Sequence, residues 1–162
     1  MESKKSKMLI VGLGNPILGD DGVGWKVAEE VKKQIPSDLP VDVECVSLGG
    51  ISLMEHLIGY DRAILIDSLA VEGPAGSILT LPLADLPNYS AYHTMSAHDT
   101  SLQNAMELGR GIGAKLPERV MVVGITAKQI FEFSEELTPE IKAAVPQAVK
   151  AVVDILNDLD FT

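Results

Sequence analysis

Cysteine, aromatic side chains and positive charge are all scarce in this chain of 162 residues, and these scarcities bear on where it works and what it binds. One cysteine, Cys45, cannot form an internal disulfide, so a reducing compartment, the cytoplasm, is the expected setting. Thirteen basic residues against twenty-three acidic leave a net charge of −10, with only three Phe, three Tyr and one Trp. A nucleic-acid binder neutralises phosphates with Lys and Arg, so no nucleic-acid partner is expected. No apolar run approaches the roughly 20 residues of a membrane span, and too short an apolar stretch follows the basic "MESKKSK" to make a secretory signal; no membrane partner is expected either. A serine-hydrolase elbow G-x-S-x-G is absent, as is a phosphate loop ending in G-K-S/T. The dinucleotide fingerprint G-x-G-x-x-G fails at Ile17, which leaves no signal for an organic cofactor.

What is present is an alternation of two hydrophobic periods along the whole length, the pattern of an α/β protein. Met8 to Val11 reads as a strand buried on both faces, ending at Gly12. Val23, Val27, Val31 and Ile35 recur every fourth residue, so a helix is expected from Asp20 or Asp21 to Gln34, stopped by Pro36. Further strands are expected at Val41 to Val46, at Ala63 to Ile66, and at Val120 to Ile125. Ser77 to Leu81 follows the tight "VEGPAG" connection and is expected to pair antiparallel at an edge. Helices are expected at Ile51 to Ile58, at Ser101 to Ala114, and after Thr138-Pro139, a cap followed by proline at the first helical position; Asp85 to Met95 reads as irregular. The expected fold is a single α/β domain over residues 8–162, after a disordered lead-in at 1–7. Its twisted, mixed, mostly parallel sheet has about five strands, with helices on both faces.

Ligand sites in such sheets lie beyond the carboxyl ends of the parallel strands. Asp20 and Asp21 follow the first strand, Asp67 ends the third, and both His93 and His98 lie before a helix. Two carboxylates and an imidazole converging there suit a divalent transition metal. Each residue also has a plain structural use: an aspartate caps a helix, a strand-end aspartate clamps the next turn, and a lone loop histidine is usually just solvated. The stretch "VGLGNPILGDDGVG" holds five glycines, two of them in the first turn of a helix where each costs up to about 1 kcal/mol relative to Ala. A close approach to that backbone, by substrate and metal, is the expected reason. Cys45, inside a strand with no nearby histidine, reads as packing rather than as a nucleophile. Glu132, Glu135 and Glu136 read as a solvated acidic face.

Assembled, "LIVGLGNPILGDDGVG", "LGGISLMEHL", "DRAILIDSL", "SAHDTSLQNAMELG" and "VVGITAKQIFEFSEELTPEIKAAVPQAV" make the chain resemble the hydrogenase maturation proteases. These endopeptidases trim the large subunit of nickel-iron hydrogenases. The resemblance implies that Asp21, Asp67 and His98 form the catalytic, metal-binding site, with Asp20 left to cap the helix. His98 is favoured over His93 because it precedes Leu102 by four residues, the spacing of the family's histidine. It further implies that the metal is nickel carried by the substrate, the large-subunit precursor, whose C-terminal extension is then removed by a monomer or weak assembly. A metal-polarised carbonyl or a metal-activated water would serve the cleavage.

Two departures from the family pattern bear on which hydrogenase is the target. Leu48-Gly49-Gly50-Ile51 stands where many members have Asp-x-Gly-Thr, and Gly124-Ile125-Thr126-Ala127 where they have Gly-Ile-Glu-Pro. Gly49 and Gly50 are expected to form a flexible loop facing the substrate. Bacterial peptidyl-tRNA hydrolases share the opening "LIVGLGNP", but here no histidine precedes His56 and the charge opposes tRNA. A protein that binds the precursor as a nickel sensor or chaperone without cutting it would use the same residues.

Overall fold

The computed structural model describes residues 6–86, 101–128 and 132–158. Strand β1 (Met8–Leu13) leads through a 3-10 turn at Gly19–Gly22 into helix α1 (Val23–Gln34), then β2 (Val41–Val46) and α2 (Gly50–Leu57). There follow β3 (Arg62–Leu69), β4 (Ile78–Pro82), a 3-10 turn at Leu83–Asp85, α3 (Leu102–Gly111), β5 (Arg119–Thr126) and α4 (Pro139–Leu156). The strands lie in the order β2-β1-β3-β5-β4, parallel except for β4, which runs antiparallel to β5 at the edge as "VEGPAG" implied.

Residue alternation divides the core into two layers. Met8 and Ile10 of β1 and Ile64 and Ile66 of β3 pack with Val23, Val27, Ala28 and Val31 of α1 and with α4. Leu9, Val11, Leu13, Ala63, Leu65 and Leu69 face the other way, onto Leu53 and Leu57 of α2 and Leu102, Ala105 and Met106 of α3. A strand with side chains buried on both faces has to read as a continuous apolar run, and all six residues of β1 are buried. Each fully buried Val or Leu in these layers contributes about 1.5–3 kcal/mol.

Several boundaries differ from expectation for one physical reason. The strands continue past their apolar runs: β1 through Leu13, β5 through Thr126, and β3 through Leu69, so Asp67 stands inside a strand instead of ending it. Its ladder to β5 is complete, Asp67 aligned with Gly124 and Leu69 with Thr126. Helix α1 starts later than the acids, because the 3-10 turn intervenes and Gly22 occupies the capping position. The irregular stretch expected from Asp85 lies outside the described residues from position 87 to 95. Among the described residues no helix is long and apolar enough to cross a membrane.

Candidate functional site

The strand order reverses beside β1: the chain moves from β1 to β2 on one side and returns to β3 on the other. That crevice, at the carboxyl ends of β1 and β3, is where an open α/β sheet binds its ligands. The turn carrying Asp20 and Asp21 packs against β3, the strand carrying Asp67. Asp67 is completely buried, on the α2 and α3 side of the sheet by alternation with Leu65 and Leu69. The half-buried Asp21 accepts a 2.9 Å hydrogen bond from the Asn15 backbone N–H to its Oδ2, which fixes one oxygen of the carboxylate. Two of the three expected site residues therefore lie on adjoining elements, the turn after β1 and strand β3. His98, and with it His93, lies outside the described residues. Among the described residues no three His, Cys, Asp or Glu side chains cluster closely enough to hold a metal ion.

Asp20 does something sequence spacing did not reveal. It caps no helix; its Oδ1 accepts from the backbone N–H of Thr138 at 2.7 Å and its Oδ2 from the Thr138 hydroxyl at 2.8 Å. Thr138 does occupy the capping position of α4 ahead of Pro139, but with its hydroxyl directed to Asp20 it makes no side-chain cap. The same two segments join through Gly19 N–H to Ser134 O at 2.7 Å and Ser134 N–H to Ile17 O at 2.9 Å. Asp20→Ala removes both bonds to Thr138 and is expected to lower unfolding stability by about 1–2 kcal/mol. Asp20→Asn, whose amide can accept from the N–H and donate to the hydroxyl, should remain near wild type in urea titration.

The glycines serve packing, not substrate approach. A Cβ on Gly24 would sit 2.3 Å from Leu13 O and 2.4 Å from Ile66 O, and one on Gly12 would sit 2.5 Å from Gly24 O. Gly14, at φ +137, would place a Cβ 1.9 Å from Asp21 O. The space that looked reserved for a ligand is filled by the protein's own backbone, which draws the start of α1 onto the ends of β1 and β3. Gly49 and Gly50 are likewise no open loop: both are buried, Gly49 at the capping position of α2 and Gly50 at its first residue with φ +51.

The remaining candidates fall as their chemistry suggests. Cys45 is partly buried, its Sγ 3.9 Å from Trp25 O, and burial pushes its thiol up from the ordinary range, which disfavours the reactive thiolate. His56 pairs with Glu44 at 3.1 Å. Leu48 packs on the α2 and α3 core layer, and Thr126 is buried at the end of β5, so neither departure from the family pattern leaves a polar group in its place that faces solvent. Asn15, Ser134 and Thr138 were missed by sequence reasoning, because only the fold brings the last two to the first turn.

Residues 26–155 match the sequence profile of a family described as hydrogenase maturation protease. The hydrogenase expression/formation protein HupD of Rhizobium leguminosarum bv. viciae is 23% identical over 151 residues, 93% of this chain and 74% of that protein. Among solved structures, the hydrogenase maturating endopeptidase HybD from Escherichia coli superposes with a TM-score of 0.72 at 24% identity, over 93% of this chain and 92% of that one. The hydrogenase 2 maturation peptidase from a Thaumarchaeota archaeon is 28% identical with a TM-score of 0.66, over 93% of this chain and 98% of that one.

Proposed function

The chain belongs to the hydrogenase maturation protease family and is a hydrogenase-specific endopeptidase, and we propose that it removes the C-terminal extension of a nickel-iron hydrogenase large-subunit precursor after nickel insertion. The observation that supports this reading is the packing of the turn that carries Asp21, beyond β1, against β3, the strand that carries Asp67, beside the point where the strand order reverses. In this reading Asp21, Asp67 and His98 are the catalytic residues and take the substrate's nickel as a shared ligand set. Oxygen and imidazole donors together suit a borderline divalent ion. The ion supplies Lewis-acid polarisation of the scissile carbonyl or of a water. Water adds across the peptide bond, leaving a new carboxylate on the large subunit and a free amine on the released extension. The Asn15 N–H holds one oxygen of Asp21, so the carboxylate meets the substrate already oriented. The protein acts as a monomer in the cytoplasm, and the nickel leaves with the product.

Incubation with nickel-loaded and nickel-free precursor, followed by mass spectrometry, tests this. Loss of a C-terminal peptide from the loaded form alone is the expected result. Equal cleavage of both forms would remove nickel from recognition, and a nickel-dependent complex without shortening would make the protein a sensor instead.

A further inference from the structure

The segments joined by Asp20 and Thr138 hold two large apolar side chains out in water. Ile17 is 46% exposed and Phe133 85% exposed. They flank the Leu18–Ser134 bridge, and the backbone bonds from Ser134 N–H to Ile17 O and from Gly19 N–H to Ser134 O fix the two strands of chain relative to each other. Ser134 is fixed further by its hydroxyl, which accepts from Glu136 N–H at 3.1 Å. Single exposed apolar residues are ordinary. Here two stand on a tied frame, Ile17 four residues before Asp21 and Phe133 on the segment bridged to it. Glu132 precedes Phe133 directly, and Glu132 and Glu136 pass close to the same turn, their carbonyl oxygens 4.0 and 3.9 Å from a Cβ position on Gly19; among the described residues neither they nor Glu135 takes part in an ion pair.

Two exposed apolar side chains, glutamates in the segment that carries one of them and continuity with the Asp21 turn define the chemistry of what covers the surface. We propose that Ile17 and Phe133 dock the precursor's C-terminal extension as an extended peptide carrying an apolar side chain flanked by Lys or Arg, with Glu132, Glu135 and Glu136 selecting the basic flank. This rests on the proteolytic reading given above and names the surface that selects its substrate. The apolar contact supplies affinity; the glutamates supply steering that salt weakens.

The test is steady-state cleavage of full-length nickel-loaded precursor by the whole protein. Phe133→Ala and Ile17→Ala are each expected to raise KM about tenfold with kcat unchanged, as truncation of an interface anchor does. Phe133→Leu should recover most of the loss. The combined Glu132→Gln, Glu135→Gln and Glu136→Gln variant should raise KM and flatten its dependence on salt. Thermal midpoints should stay at the wild-type value, because Phe133 packs against little. Wild-type cleavage with KM unchanged in both alanine variants would overturn the docking surface while leaving the protease intact. If the wild type cleaves no precursor, the proteolytic reading fails, and titration of labelled precursor then decides the surface: equal affinity for wild type and Phe133→Ala overturns it.

Discussion

Asp67→Asn is expected to leave nickel-loaded precursor unprocessed, with kcat/KM lowered at least about a hundredfold. Losing a group that merely supports a metal ligand costs about 10–100-fold, so losing a charged ligand costs no less than the upper end. Asparagine matches aspartate in shape, and Asp67 is wholly buried in β3, so the substitution changes charge and coordination with little change in volume. Asp21→Asn should behave alike. Asp20→Asn is the control: one residue away, its carboxylate is spent on Thr138, and both bonds survive the change, so processing should continue. Mass spectrometry of the product, with melting curves for each variant, reads the outcome. Retained processing by Asp67→Asn would make that residue a clamp within the sheet and nothing more.

Gly24→Ala is expected to lower stability by about 3 kcal/mol, at the upper end of what overpacking costs. The added methyl would meet Leu13 O at 2.3 Å and Ile66 O at 2.4 Å, both backbone atoms near the ends of paired strands. Neither can retreat without moving β1 or β3, and the roughly 1 kcal/mol that alanine gains over glycine in a helix does not offset the collision. For a domain of this size the midpoint should fall by about 10 °C. Gly111→Ala at the end of α3, with open space around its Cβ position, should be neutral or slightly stabilising. A Gly24→Ala protein that melts with wild type would show that α1 can shift on the sheet.

The fold was legible because burial on two faces writes itself into the chain as apolar runs. The second strand begins at Val41 and ends at Val46 as its pattern implies. Asp67 shows where that signal stops: a charge ends the apolar run, while backbone pairing, which ignores side-chain polarity, continues to Leu69. That the turn carrying Asp21 adjoins the strand carrying Asp67 followed from topology, since a doubly wound sheet gathers its strand ends at one crevice. The division of labour between Asp20 and Asp21 did not follow. Asp20 was expected to cap the helix beside it, and local sequence could not show that Thr138 arrives from another part of the chain to take its carboxylate. The glycines were conspicuous and their reason was misread, because a short sequence records that something comes close without recording what.

The bonds between Asp20 and Thr138 close a span of 118 positions, and that span is also an interval of time. During synthesis the amino-terminal part of a chain emerges first and folds as partners become available. The first strand and its acid turn would be made long before position 138 had been added, and until then the turn lacks the bonds that Ser134 and Thr138 supply. These ties therefore form only with the docking of the last helix, and a fragment broken off before Thr138 would carry Asp20 without its partner.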